Sequence, residues 1–204
     1  MLSGFTIALA STLERNQRKL WLENMADVDK DDSGQVVKGL AEAQQSFPPR
    51  GPAPVHLWNP PFCRDIGLKI DRNGAWFYQG SVIARPALVK LFASILRKDP
   101  ERYVLVTPVE MVSVEVEDAP FIAGEMWVES GPVLVFRTNV DDEVRAGAYH
   151  PLRFETGAAG GLKPYVLVRG GLWALLSRPL ALALVELGEH REGMFGIESG
   201  GTFF

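Results

Sequence analysis

Apolar and polar positions alternate along much of the second half of the chain, and this spacing predicts short β-strands. Residues 112–116 carry valine at every second position with serine and glutamate between, which is typical of a strand with one buried face. Residues 121–138 contain two further apolar runs of strand length. Residues 66–70 alternate loosely and lead to Asn73-Gly74, a dipeptide that favours a tight hairpin turn. The region is therefore predicted to be rich in β-hairpins.

Two helices are predicted within residues 56–204, and an Arg-Pro pair opens each of them. After the first pair, apolar residues return at helical spacing; these residues are Leu88, Leu91, Phe92, Ile95 and Leu96. After the second pair, residues 180–185 are apolar on nearly every side. A helix that is apolar all round is usually buried, so the second helix is predicted to be buried more deeply than the first.

The two helices belong to a pattern that occurs twice in the chain. Residues 76–84 read as two extended segments around a glycine turn, and they lead to Arg85-Pro86. Residues 165–176 repeat this arrangement and lead to Arg178-Pro179, 93 positions after the first pair. A duplicated unit is therefore predicted, and ligands commonly bind where two such units meet.

The predicted fold is α+β, with duplicated β-rich units that each carry one helix. Residues 1–55 are predicted to be an N-terminal arm that is partly helical and partly extended. Its last part is predicted to be extended because the prolines between 48 and 54 prevent a helix or a central strand. An N-terminal subdomain is predicted at residues 56–145 and a C-terminal subdomain at residues 146–204.

Charge and cysteine content restrict the partners and the location of the protein. With a net charge of -4 and no cluster of lysine and arginine, the chain is not expected to bind duplex nucleic acid. Cys63 is the only cysteine, so no internal disulfide can form and a reducing cytoplasm is the expected location. No apolar run approaches the ~20 residues that a membrane span needs, so no membrane association is expected.

No sequence motif for catalysis or metal binding is complete. The histidines lack the spacing of a zinc site; they are His56, His150 and His190. An acidic stretch from Asp29 resembles the start of a calcium loop, but Leu40 occupies the position that needs a bidentate glutamate. We therefore predict neither a metal nor a cofactor, and we favour a binding protein over an enzyme.

Two arginines and several carboxylates are candidate functional groups. Arg85 and Arg178 recur in the repeat, and each could either fix the start of its helix or bind an anion bidentately. The carboxylates at predicted strand ends could either form an acid–base pair or cap turns; they are Glu110, Glu117, Asp118, Asp141, Asp142 and Glu143.

Six short segments together resemble the bacterial "domain of unknown function 1285" family. The segments are Trp76-Phe-Tyr78, Leu105-Val-Thr-Pro-Val-Glu110, Val116-Glu-Asp-Ala-Pro-Phe121, Thr138-Asn-Val-Asp-Asp-Glu-Val144, Val168-Arg-Gly-Gly171 and Ser199-Gly-Gly201. They cover about residues 55–204 in order, and residues 1–54 lie outside them. The resemblance implies a duplicated α+β core whose C-terminal part is loosely similar to pleckstrin-homology-like folds. It also implies a nucleotide-like ligand site between the copies and a role in signalling, with no established reaction.

The leading hypothesis is a cytoplasmic ligand-binding module that holds a small anion, such as a nucleotide, between the subdomains. The arginines expected to contact the anion are Arg85, Arg137, Arg169 and Arg178. Trp76 or Tyr78 is expected to provide a stacking surface. The groups expected to orient polar edges of the ligand are Glu110, Asp118, Asn139 and Asp141. The alternative is a protein–protein interaction module that uses exposed sheet edges or the proline-rich arm, and a hydrolase with paired acids is the third hypothesis.

Overall fold

The computed structural model describes residues 53–157 and 160–204. The predictions made for residues 1–52, including the arm helices and the sequence that resembles a calcium loop, lie outside the described residues. So does the side chain of Cys63.

The first half of the described chain forms a six-stranded sheet, called sheet 1. Its strands are β1 (Phe62–Ile70), β2 (Trp76–Tyr78), β3 (Ser81–Val82), β4 (Leu96–Lys98), β5 (Tyr103–Val106) and β6 (Met111–Val116). A short 3-10 turn (Val55–Leu57) precedes them, and helix α1 (Pro86–Ser94) connects β3 to β4. The strand order is β3-β2-β1-β6-β5-β4. β1 and β6 are parallel, and the other neighbours are antiparallel.

The second half forms another six-stranded sheet, called sheet 2. Its strands are β7 (Phe121–Glu129), β8 (Val133–Thr138), β9 (Glu143–Arg145), β10 (Leu152–Thr156), β11 (Leu162–Arg169) and β12 (Leu172–Leu176). Helix α2 (Arg178–Glu186) follows, and then two hairpins complete the chain. The hairpins are β13 (Glu189–Arg191) with β14 (Met194–Gly196), and β15 (Glu198–Ser199) with β16 (Thr202–Phe203).

The two sheets have the same strand order, which confirms the predicted α+β fold with duplicated units. Read from β9, sheet 2 runs β9-β8-β7-β12-β11-β10, and its central pair, β7 and β12, is parallel like β1 and β6. β1 begins at Phe62 and β7 at Phe121, so the structural repeat is 121 − 62 = 59 positions long. The sequence pattern with a spacing of 93 matches β2–β3–α1 to β11–β12–α2, which occupy different places in their sheets.

The division between the sheets lies in the short link between β6 and β7. β6 ends at Val116 and β7 begins at Phe121. The boundary predicted at 145/146 lies between β9 and β10, inside sheet 2.

Helix α1 packs its apolar side against sheet 1. Leu91, Phe92 and Ala93 are buried, and the Phe92 ring lies 5.9 Å from the ring of the buried Trp76 on β2. Pro86 occupies the first turn, where its missing N–H costs no helical hydrogen bond. The helix ends at Ser94, earlier than the periodicity predicts, and Ile95 then leads directly into β4.

The predicted deep burial of the second helix is wrong. In α2 only Leu184 is buried, whereas Leu182 is 62% exposed and Val185 is 44% exposed. α2 lies on β7 and β11 with one side only. An apolar sequence makes burial favourable, but a nine-residue helix on the outside of a sheet covers just the side that faces the sheet.

The C-terminal hairpin β15–β16 is attached to sheet 2 through a buried serine. Ser199 Oγ accepts a hydrogen bond from the Leu134 N–H at 2.9 Å and donates one to the Ala146 carbonyl at 2.8 Å. The Ser199 side chain therefore satisfies two backbone groups of the sheet at once.

Candidate functional site

The turn between β8 and β9 carries most of the Thr138–Val144 motif. Thr138 Oγ1 accepts a hydrogen bond from the Asp142 N–H at 3.1 Å, which closes the turn. Asp141 adopts a left-handed backbone with φ 67°, a conformation that aspartate tolerates better than most residues. The turn thereby presents Asn139, Asp141 and Asp142 side by side.

Asn139 joins the two sheets through both ends of its amide. Its Nδ2 donates to the Gly74 carbonyl in the β1–β2 turn at 3.3 Å, and its Oδ1 accepts from the Ile122 N–H at 3.1 Å. Gly74 has φ 78°, and a Cβ built there would lie 2.7 Å from the Ile122 side chain. The close approach of the two sheets at this point therefore requires glycine.

One ion pair ties α1 to the same turn, and a second ties β11 to it. Lys90 pairs with Asp141, and Arg169 at the end of β11 pairs with Asp142. Arg169 also donates to the Ala93 carbonyl at 2.8 Å, in the last turn of α1, where carbonyls lack helical partners and attract cations. We call this group of residues the Arg169 cluster: Lys90, Asn139, Asp141, Asp142 and Arg169. Three residues predicted to bind a ligand thus lie together, and each has a partner within the protein.

A second group lies around Asp118, in the link between the sheets. Asp118 accepts a hydrogen bond from the Tyr165 hydroxyl at 2.8 Å and forms an ion pair with Lys163. The Arg153 guanidinium lies 4.8 Å from the Tyr165 ring and 4.4 Å from the Trp173 ring. We call this group the Asp118 cluster: Asp118, Arg153, Lys163, Tyr165 and Trp173.

Sheet 1 reaches the Asp118 cluster through the β4–β5 hairpin. Burial raises the pKa of Tyr103 on β5, and the charges of Arg153 and Asp118 act on the same pKa in opposite directions. The Lys98 ammonium lies 4.1 Å from the centre of the Tyr103 ring. The Lys98 side chain also lies against the β11–β12 turn, because a Cβ built at Gly171 would be 3.5 Å from it. The cluster therefore lies where the two sheets meet.

The raised pKa values of Lys163 and Tyr165 keep their contacts with Asp118 intact at neutral pH. Burial raises the pKa of Tyr165, so its phenol stays protonated and keeps its hydrogen bond to Asp118. The hydrogen bond to Asp118 raises the pKa of Lys163, so its ammonium stays charged. Arg153 adds a permanent charge beside flat aromatic surfaces.

The predicted stacking residues are Trp76 and Tyr78, and their rings are less accessible to a ligand than an exposed ring would be. Trp76 is 1% exposed and packs against Phe92. Its indole nitrogen has no hydrogen-bond partner within the described part of the chain. Tyr78 is half-buried, and its hydroxyl accepts a hydrogen bond from Gln79 at 3.2 Å.

The remaining predicted residues are spread over the fold. Arg137 is held at 2.8 Å by both Glu125 and Glu143 on the face of sheet 2. Arg85 precedes α1 and interacts with another group of the protein. Arg178 is exposed at the first position of α2. Glu110 closes a tight turn, in which its carbonyl accepts from the Thr107 N–H at 2.8 Å.

An open cavity of about 590 Å³ lies on sheet 1, and none of the ten predicted residues lines it. Four carboxylates and two cations line it, together with glycine, amide and apolar groups. Lys69 lies between Glu115 at 3.1 Å and Glu117 at 2.8 Å, so its charge is already neutralised. With an excess of carboxylates, this cavity does not suit an anionic ligand.

Sequence reasoning missed most of the Asp118 cluster. Arg153 and Tyr165 are directly opposite each other on β10 and β11, but this register is not readable from either strand alone. Lys163 follows the glycines at 157, 160 and 161, and this is the one local signal that could have pointed to it.

The described residues lack two other kinds of site. None of their helices is long and apolar enough to cross a membrane. Residues 53–157 and 160–204 also contain no group of three histidine, cysteine, aspartate or glutamate side chains placed to hold a metal ion.

Comparison with known proteins gives consistent matches to one family. The model of the N-terminal domain of DUF1285, a domain of unknown function, matches residues 53–119, and that of its C-terminal domain matches residues 120–204. The change between them falls in the link between the two sheets. No curated protein is significantly similar in sequence.

Two solved structures of such proteins are similar to this chain. The crystal structure of a DUF1285 family protein from Silicibacter pomeroyi DSS-3 is 49% identical with a TM-score of 0.75, over 81% of this chain and 92% of that chain. The crystal structure of a DUF1285 family protein from Shewanella baltica OS155 is 29% identical with a TM-score of 0.48, over 59% of this chain and 91% of that chain.

Proposed function

The chain belongs to the DUF1285 family, whose two domain models span residues 53–204, and we propose that it is a cytoplasmic signalling module that binds a nucleotide-like small anion where its two sheets meet. The site of this proposal is the Asp118 cluster. Within it, Lys163 and Arg153 contact the anionic group, and the rings of Trp173 and Tyr103 contact the flat part of the ligand.

The observation that carries the proposal is the position of Arg153. Its guanidinium lies within 5 Å of two aromatic rings, yet the side chain is 44% exposed. An exposed cation beside aromatic surfaces can bind an anionic group while a ring of the ligand stacks next to it. Arg153 pairs with one glutamate, Glu155, at 3.1 Å. Arg137 lies 5.2 Å from the Trp127 ring, but two glutamates hold it.

The Arg169 cluster supports a role in signalling. The Lys90–Asp141 ion pair and the Arg169–Ala93 hydrogen bond connect α1 to sheet 2, and the Asn139 amide connects the β1–β2 turn to it. A ligand that contacts both sheets at the Asp118 cluster would bind best in one arrangement of the sheets, and it would stabilise that arrangement. Asn139, Asp141 and Arg169 then act by coupling the sheets, and Asp118 orients Lys163 and Tyr165.

The test is calorimetric titration and thermal shift of the full chain with a panel of nucleoside mono-, di- and triphosphates. At least one nucleotide is expected to raise Tm and to bind measurably. Arg153→Ala is expected to weaken that binding by about tenfold or more, because a charge-assisted hydrogen bond is lost. Arg137→Ala is the matched control, since it also removes an arginine beside a tryptophan on sheet 2, and its affinity is expected to be unchanged.

Two results would count against the proposal. Either no nucleotide raises Tm, or Arg153→Ala and Arg137→Ala weaken binding equally. Trp173→Leu adds an independent measurement, because loss of base stacking is expected to weaken binding by about fivefold or more. Trp127→Leu serves as its control.

A further inference from the structure

The outer side of α2 is an apolar surface bordered by opposite charges. Pro179, Leu182 and Val185 are exposed there, at positions that a helix places on one side. Arg178 and Glu186 are exposed at its two ends. Leu184, which faces sheet 2, is the buried residue of the helix. Exposed apolar residues grouped on one side of a helix are a common sign of an interface.

The hairpin β13–β14 extends this surface beyond the C-terminal end of α2. Met194 is 61% exposed and Phe195 is 53% exposed. The Phe195 ring lies directly on Gly188, where a Cβ would overlap it, and 5.1 Å from the His190 ring. The helix and the hairpin thus share one continuous apolar surface. We call it the α2 surface: Pro179, Leu182, Val185, Met194 and Phe195.

We propose that the α2 surface is the interface of a homodimer in which two α2 helices pack antiparallel across a two-fold axis. With the axis at Leu182, each residue faces the partner residue equally far from Leu182 on the other side. Leu182 then meets its own copy, Pro179 meets Val185, and Arg178 meets Glu186. Each apolar residue faces an apolar one and each charge faces its opposite, so the surface is complementary to itself.

A second copy fits this surface because of the symmetry of its charges. A two-fold interface brings the same patch together from both subunits, so it must be self-complementary. Arg178 lies four positions before Leu182 and Glu186 four positions after it, and the antiparallel arrangement therefore forms two ion pairs. A parallel arrangement would instead place like charges together.

The required area explains the role of the hairpin. A stable interface buries about 800 Å² on each partner, and a nine-residue helix is only about 14 Å long. In the antiparallel arrangement, the hairpin at the C-terminal end of one α2 lies beside the start of the partner's α2. Met194 and Phe195 thus add apolar area at both ends of the interface.

The first test is sedimentation velocity of the full chain over a concentration series. A species of twice the monomer mass of 22.5 kDa is expected. Leu182→Glu is expected to weaken dimerisation by about hundredfold, because it places two carboxylates at the axis. Leu57→Glu, at an exposed leucine of the 3-10 turn, is the control and is expected to remain dimeric. A chain that is monomeric throughout, or a Leu182→Glu variant that stays dimeric, overturns the proposal.

The second test is a charge exchange that probes the antiparallel register. Arg178→Glu and Glu186→Arg are each expected to weaken dimerisation by about fivefold, because the two-fold axis doubles the effect of each repulsion. The variant that carries both changes is expected to return to the affinity of the unchanged chain. Failure of this rescue overturns the register. The positions changed in the two tests are all exposed, and circular dichroism is expected to show an unchanged fold in every variant; these positions are Leu57, Arg178, Leu182 and Glu186.

Discussion

At Gly74, the backbone of the β1–β2 turn in sheet 1 closely approaches sheet 2. Its carbonyl accepts the Asn139 amide, and its α-carbon faces the Ile122 side chain. Its left-handed backbone alone favours glycine, and the neighbouring Ile122 adds a steric requirement.

Gly74→Ala is expected to destabilise the protein by about 2–4 kcal/mol, from backbone strain and from the overlap with Ile122. Gly131→Ala is the matched control, because Gly131 has φ 85° with nothing near a Cβ, and it is expected to cost about 1 kcal/mol. Urea denaturation measures both. Equal costs would show that Ile122 does not restrict position 74.

Glu117 links the acid stability of the protein to the network around Lys69. Hydrogen bonds from Lys69, and then from the backbone and side chain of Arg72, lower the pKa of Glu117 from 4.5 to about 2. A carboxyl whose pKa is lowered by folding stabilises the protein above its unfolded pKa, and this contribution is lost as the pH falls toward the folded pKa.

We therefore expect Glu117→Gln to lower Tm most clearly at neutral pH, with a difference from the unchanged chain that shrinks between pH 4.5 and about 2. Thermal unfolding at a series of pH values measures this difference. Glu101→Gln, at an exposed position next to β5, controls for the loss of one negative charge. A difference that stays constant across this range would exclude the network.

At the scale of residues, the sequence motif identified residues that lie together in space, but not the contacts that each of them makes. The segment Thr138–Val144 pointed to Asn139 and Asp141, and the structure brings both together with Arg169. Trp76 has the residue type of a stacking surface, but its orientation depends on which face of β2 meets α1. That face is decided by the packing of the whole sheet, so a local pattern cannot show it.

At the scale of elements, the C-terminal hairpin depends on one side chain. Ser199 is fully buried, and its hydroxyl supplies hydrogen-bond partners to two backbone groups of the sheet that would otherwise lack them. Its motif was visible in the sequence as Ser199-Gly-Gly201, without any indication of these partners.

Ser199→Ala is expected to cost about 1–3 kcal/mol, because the buried Leu134 N–H and Ala146 carbonyl lose their partner. Ser81→Ala, on the exposed strand β3, is expected to cost less than about 0.5 kcal/mol. Chemical denaturation compares the two variants. A small cost for Ser199→Ala would mean that water replaces the hydroxyl.

Element types were predictable where local chemistry decides them. The Asn73-Gly74 turn, the alternation at 112–116 and both Arg-Pro helix starts predicted elements that the structure contains. The position of each element in its sheet was not predictable from the sequence, because β2–β3 and β11–β12 share turn chemistry but lie at different places in their sheets. α2 shows the same limit, since hydrophobicity indicates that a face needs cover but not whether the chain itself provides it.

At the scale of the whole molecule, the two sheets are expected to open together. The Asn139–Gly74 hydrogen bond, the Lys90–Asp141 ion pair and the Arg169–Ala93 hydrogen bond each connect one half of the fold to the other, so loss of one sheet exposes the polar partners of the other.

Hydrogen exchange under mild denaturant is expected to give similar opening free energies for Val104 in sheet 1 and Phe136 in sheet 2, both fully buried. Arg169→Ala is expected to separate the two values by about 1 kcal/mol or more, because it removes a coupling contact. Arg145→Ala breaks an ion pair within sheet 2 and is expected to leave them similar. Equal opening in the Arg169→Ala variant would contradict the coupling.

The parallel pair at the middle of each sheet also governs when each sheet can form during synthesis. β1 needs β6 and β7 needs β12, so each central ladder joins the first and last strands of its unit. On the ribosome, the first sheet can close only after Val116 has emerged, and the second only after Leu176. Contacts between distant segments form slowly. Nascent chains therefore carry an open strand edge for most of each unit's translation, and this interval is when a chaperone would be most useful to them.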